Sequence, residues 1–144
     1  MKTAYSVLLV HDEPEAFRPI ERMLKDQEIR IHHARNYSEA RRLLQEVEPV
    51  DLVMTDVAVP DGTWRDVIHL AQMQTRKLPV VVMSRVVNMR LYLDTQDGGA
   101  ADFIVPPVES RGLTYTLTTA MHRMSPDWTL PAPVRQEQSQ LAIH

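Results

Sequence analysis

The chain of 144 residues contains no cysteine. Disulfides, thiolate catalysis and Cys-ligated zinc are thereby excluded, and the composition is compatible with a reducing cytosol. No apolar stretch approaches the roughly 20 residues of a membrane span, and Met1-Lys2-Thr3-Ala4-Tyr5 runs into a strand pattern without the apolar core of a signal peptide. A soluble, cytoplasmic protein without membrane contact is expected. A strong charge of one sign is missing too. The net charge is −3, the pI is near 6.0, and the 13 Arg and 3 Lys are scattered, which argues against direct binding of nucleic acid. No Gly-rich loop follows the first strand pattern, which disfavours a flavin or dinucleotide site, and no internal repeat is visible.

What is present is an alternation. Short apolar runs recur at Ser6–Val10, Arg30–Ala34, Asp51–Thr55, Pro79–Met83 and Asp102–Val105, each separated by enough chain for a helix. This five-fold βα pattern predicts a parallel sheet covered by helices on both faces. Val7–Val10, Leu52–Met54 and Val80–Met83 are apolar on both sides, as central strands require, whereas Arg30–Ala34 alternates and reads as an edge. One domain over residues 1–124 is expected. Residues 125–144, with Pro126, Pro131, Pro133 and several Gln, read as a largely disordered tail.

Helices are predicted over about Pro14–Asp26, from a Ser38 cap to Glu46, from a Thr63 cap to Gln74, over Asn88–Asp97, and over Glu109–Met124. Pro19 predicts a bend in the first helix, or a late start there, because it removes a bond to the carbonyl of Glu15. Val47 is expected to face inward with Leu43 and Leu44, and Gly98-Gly99 to stop the fourth helix. The fifth carries Gly112 and four Thr, so packing must hold it.

In an open parallel sheet, ligands collect outside the carboxyl ends of the strands. Placed there are His11, Asp12 and Glu13, then Asp56, then Ser84 and Arg85, then Pro106 and Pro107. Two carboxylates about 4 Å apart repel by roughly 4 kcal/mol at an effective dielectric near 20, so Asp12 and Asp56 ionised together call for a cation between them. Mg²⁺ suits that role, and a phosphoryl donor would meet metal charge, an aspartate nucleophile and the Ser84 hydroxyl at one place.

These residues resemble a family. Val7-Leu8-Leu9-Val10-His11-Asp12-Glu13-Pro14 is similar to the opening strand and acidic corner of response-regulator receiver domains, and Asp51–Asp56 with Val59-Pro60-Asp61-Gly62 to their phosphoacceptor strand and loop. Pro79–Ser84 and Gly99–Pro107 resemble the strands that end in the switch hydroxyl and carry the switch aromatic. The resemblance covers Ser6 to about Met124. It implies a flavodoxin-like, doubly wound sheet of five strands in the order 2-1-3-4-5 with five helices. It implies Asp56 as phosphoacceptor, Ser84 as switch hydroxyl, Phe103 as switch aromatic, and Mg²⁺ held by Asp12, Asp56 and the carbonyl of Ala58, with Glu13 a further candidate ligand. A histidine kinase or phosphotransfer protein upstream, a protein partner downstream, and homodimerisation through the fourth helix, fifth strand and fifth helix follow from the same resemblance. So does the absence of enzymatic activity beyond Mg²⁺-dependent self-phosphorylation and dephosphorylation. No DNA-binding or catalytic output unit follows in these residues, so the response is expected to pass through another protein or through a region outside them.

The pattern is broken at two positions. His11 stands where the family has its first acid, which weakens Mg²⁺ binding, and Pro106 stands where the family has a lysine. The bond joining Pro106 to Pro107 is one where a cis peptide costs little. Arg85 follows the switch hydroxyl where a small residue is usual; it either restores lost positive charge as a phosphate contact, or points to solvent or narrows access to Asp56. His11 is expected to hydrogen-bond Asp12 rather than bind metal, His32-His33 to lie on the edge-strand surface, and Trp64 to cover the loop after Asp56. A phosphorelay receiver and a phosphorylation-independent pseudo-receiver that binds a partner both remain open. A small hydrolase lacks a general base other than His11.

Overall fold

A computed structural model describes residues 5–46 and 49–123. The expectations for Val47 and for the tail over residues 125–144 lie outside these. Five parallel strands form the sheet: β1 (Ser6–Val10), β2 (Arg30–Ala34), β3 (Leu52–Asp56), β4 (Val80–Met83) and β5 (Asp102–Ile104). Their order is β2-β1-β3-β4-β5, so the chain winds outward from β1 in both directions, as expected. A separate two-stranded antiparallel ribbon, Ala58–Val59 with Gly62–Thr63, follows β3 and was not anticipated.

Every residue of β1, β3 and β4 is buried, and successive side chains serve opposite faces. Leu8, Val10, Val53, Val80 and Val82 join one cluster, packed under α2 (Tyr37–Glu46) and α3 (Trp64–Gln72), with Leu91 of α4 (Met89–Asp97) at its margin. Val7, Leu9, Leu52, Met54, Val81 and Met83 join the other, with Phe17, Ile20 and Leu24 of α1 (Pro14–Asp26) and Leu113, Leu117 and Ala120 of α5 (Ser110–Arg123). The three-layer architecture therefore follows from continuous apolar strands that cannot leave either face wet.

Local chemistry departs from the sequence reading in several places. α1 is one span from Pro14, with Pro19 in its interior; burial of Phe17, Ile20 and Leu24 on one face outweighs the bond that Pro19 forfeits, and the late start is not adopted. Asn36, rather than Ser38, caps α2, its side-chain oxygen accepting from the Glu39 N–H at 2.8 Å. Ser38 lies inside the first turn and donates its hydroxyl to Asp61 at 2.7 Å, while Asp61 also accepts the N–H groups of Tyr37 and Ser38. A carboxylate from the loop after β3 thus satisfies the amino end of α2. Thr63 caps α3 as expected, within a reciprocal capping box with Asp66. Trp64 donates its N–H to the Val57 carbonyl at 3.0 Å, but its ring lies against the end of α4, where a Cβ on Gly98 would come within 2.7 Å of it. Gly98 thus leaves room for the indole, while Gly99, at φ 98°, takes the left-handed conformation that ends α4.

α5 is held by three side chains of negligible exposure, Leu113, Leu117 and Ala120, on an otherwise Thr-rich helix. Leu113→Ala is expected to lower unfolding stability by about 2–5 kcal/mol, measured by denaturant titration; a change below about 1 kcal/mol would show that α5 does not depend on this contact.

Candidate functional site

The parallel register brings the site together. β1, β3 and β4 run side by side, with Val10 opposite Thr55 and Asp56 opposite Met83. The residues just beyond these pairs, His11, Ser84 and Arg85, therefore emerge around Asp56 at one edge of the sheet.

Asp56 is the last residue of β3 and only 7 % exposed. Its Oδ1 accepts the Val57 N–H at 2.8 Å, and its Oδ2 forms an ion pair with a terminal nitrogen of Arg85. Burial pushes the carboxyl above its ordinary pKa and the nearby charge of Glu13 adds to this, while the Val57 N–H and the Arg85 guanidinium oppose it. The Arg85 guanidinium meets the carboxylate instead of pointing only to solvent, an arrangement common to a phosphate contact and to a narrowed access to Asp56. The Arg85 side chain is nevertheless 44 % exposed, so it bridges the buried acid and the solvent.

Ser84 is buried. Its N–H donates to the Ile104 carbonyl at 2.9 Å, its hydroxyl donates to the Val86 carbonyl at 2.8 Å, and the same oxygen accepts the Val86 N–H at 3.2 Å. The hydroxyl thus closes a tight turn around Arg85 and fixes the backbone that presents it. Phe103, half-buried on β5, meets Tyr92 of α4 edge to face with ring centroids 5.7 Å apart. The peptide bond between Pro106 and Pro107 is cis.

His11 is fully buried, and its environment differs from the expected one. Its ring stacks on Phe17 at 4.0 Å with an interplanar angle of 8° and lies 4.3 Å from the ring of His33. Its Nδ1 accepts the Glu13 N–H at 3.2 Å, rather than pairing with Asp12, and its Nε2 meets no hydrogen-bond partner among the described residues. His33 is exposed on the edge strand as expected, and from there its Nε2 lies 3.1 Å from the His11 carbonyl and its ring packs against the His11 ring. An apolar stack on α1 was not visible in sequence, since nothing in the spacing of Phe17 and His33 announces that both reach residue 11. Burial, with the charges of His33 and Arg85, lowers the His11 pKa to about 4, against a smaller opposing effect of Asp12.

The residues as placed do not fit a divalent cation. His11 at the corner is a stacked ring rather than an acid, Asp12 and Glu13 are exposed, and the Arg85 guanidinium already holds the Asp56 carboxylate where a cation would sit. Among the described residues no group of three or more His, Asp or Glu is gathered to hold a metal. No described helix is long and apolar enough to cross a membrane.

This fold and acidic edge define a signalling receiver. Residues 7–118 match the family model of the response regulator receiver domain, and the chain belongs to that family. It is 32 % identical over 120 residues to the response regulator protein PilR of Pseudomonas aeruginosa, covering 83 % of this chain and 27 % of PilR. Similarity to the regulatory protein LuxO of Vibrio cholerae is 28 % over 75 residues, covering 52 % of this chain and 16 % of LuxO. The chain thus spans about a quarter or less of these relatives. A response regulator structure from Chloroflexus aurantiacus superposes with a TM-score of 0.75 at 18 % identity, over 83 % of this chain and 98 % of that one, which shows the fold.

Because the folded-state pKa of His11 lies below its ordinary 6.5, the unfolded chain binds more protons between these values, and stability falls as pH drops from 6.5 towards about 4. The loss attributable to His11 amounts to at most about 3 kcal/mol. His11→Phe, which keeps the stack on Phe17, should flatten this limb of the stability profile, measured by urea unfolding from pH 7 to 4; an unchanged slope would place the acid sensitivity elsewhere.

Proposed function

We propose that Asp56 accepts a phosphoryl group within a two-component phosphorelay, delivered by a histidine kinase or phosphotransfer protein, and that the change is read on the face built by α4, β5 and α5. The observation that carries this reading is the pairing of Asp56, at the carboxyl end of a central strand, with the half-exposed guanidinium of Arg85. A buried carboxylate held by a cation that solvent can reach is suited to receive a charged donor. In this role the chain is a signalling module rather than an enzyme acting on an external substrate.

Two further observations support the output face. The Ser84 hydroxyl is bonded to Val86, so any demand on that hydroxyl at Asp56 loosens the loop leading into α4. That loop and helix expose Val86, Val87, Met89, Tyr92 and Leu93, with Val87 87 % exposed, an apolar surface matched to a protein partner, which in this reading includes a second copy of the chain.

A second reading is a pseudo-receiver that binds its partner without phosphorylation. It is favoured by His11, a neutral stacked ring in the acidic corner, and by the engagement of both Asp56 oxygens. Treatment with acetyl phosphate and Mg²⁺, followed by intact mass, separates the two. The first reading expects a single added phosphoryl group on the wild type and none on Asp56→Asn. No addition to the wild type, with the fold intact by circular dichroism, favours the pseudo-receiver.

A further inference from the structure

The charge at this site does not come from where a receiver's chemistry ordinarily draws it. The corner residue His11 is an apolar-stacked ring, residue 106 is a proline, and no cluster of three or more His, Asp or Glu is gathered among the described residues. Arg85, in contrast, is already on the Asp56 carboxylate. Its backbone is fixed on both sides by the Ser84 N–H bond to Ile104 at 2.9 Å and by the turn closed through the Ser84 hydroxyl and Val86. A guanidinium has five donors in a planar fork, remains protonated at any physiological pH, and matches phosphate oxygens in pairs. One terminal nitrogen meets Asp56, and the side chain as a whole is 44 % exposed, which leaves further donors within reach of an arriving phosphoryl group.

We propose that Arg85 is the resident cation of this site, holding the Asp56 carboxylate and then the phosphoryl oxygens, so that phosphoryl transfer to Asp56 proceeds without a divalent metal. The proposal rests on Asp56 being the acceptor. With acetyl phosphate as donor, a carboxylate oxygen of Asp56 forms the new bond to phosphorus as the bond from phosphorus to the acetyl oxygen breaks. Acetate leaves with that electron pair, and no proton is required. The product carries more negative charge beside Arg85 than the free carboxylate did. The guanidinium therefore gains attraction as transfer proceeds, which is the condition for lowering the barrier.

The test compares labelling by acetyl phosphate in excess EDTA and in excess Mg²⁺, read by intact mass over time, on the wild type, Arg85→Ala and Arg85→Lys. The wild type is expected to label at rates within about twofold of each other in the two conditions. In EDTA, Arg85→Ala should be slower by about 100-fold, with Arg85→Lys in between. A readout without chemistry accompanies it: fluorine NMR of beryllium fluoride in EDTA, where the wild type should show bound resonances and Arg85→Ala none. Labelling and beryllium fluoride binding of the wild type only with Mg²⁺ would overturn the role of Arg85 while leaving Asp56 as acceptor. Equal labelling of Arg85→Ala and wild type in EDTA would overturn it as well. Failure of the folded wild type to label in either condition would remove the acceptor reading itself, and the proposal with it.

Discussion

The structure around the site depends on one interaction, the ion pair between a carboxylate that is almost wholly buried and a guanidinium that is not. An ionised Asp56 at the end of a strand buried over its whole length needs compensation, and desolvation is the largest influence on its pKa. Two groups supply compensation, the Val57 N–H and Arg85. The topology makes the second available. Because β4 pairs in parallel with β3 and Met83 lies opposite Asp56, the chain leaving β4 passes the carboxylate, and the Ser84 turn holds Arg85 there. The same turn leads into the exposed apolar loop before α4, so the site and that surface share a few residues of backbone.

The opposite wall of the pocket has moved from charge towards packing. His11, neutral at physiological pH, sits between Phe17 of α1 and His33 of β2. A carboxylate there could not be stacked between two rings without a large desolvation cost, whereas a neutral imidazole fits at little cost. The substitution therefore ties the corner to α1 and to the edge strand while removing one negative charge from beside Asp56. Fewer acids near Asp56 also mean less repulsion for one guanidinium to offset.

Much of the fold was legible because its cause is local in sequence. Continuous apolar runs at Val7–Val10, Leu52–Met54 and Val80–Met83 permit little other than central parallel strands, and the alternating Arg30–Ala34 fell at the edge. Thr63 with Asp66 three residues on is a capping box whatever the rest of the chain does. The errors share a different cause, since each involves a partner distant in sequence. Ser38 looked like a cap, but Asp61 draws its hydroxyl away and Asn36 takes the role. Pro19 allowed a late start of α1, but burial of Phe17, Ile20 and Leu24 carries the helix from Pro14. At the site, the positions of Asp56 and Ser84 could be read from strand ends, whereas the orientation of Arg85 and the stack of His11 on Phe17 and His33 are tertiary facts that no spacing encodes.

The account rests on Asp56 and Arg85 acting as a unit, and a double-mutant cycle measures that directly. Unfolding free energies of the wild type, Asp56→Asn, Arg85→Ala and the double variant, taken at neutral pH and low salt, should give a coupling energy in the range of about 0.5–3 kcal/mol, reduced as salt is added. Additive effects, with no coupling beyond the error of the measurement, would contradict it.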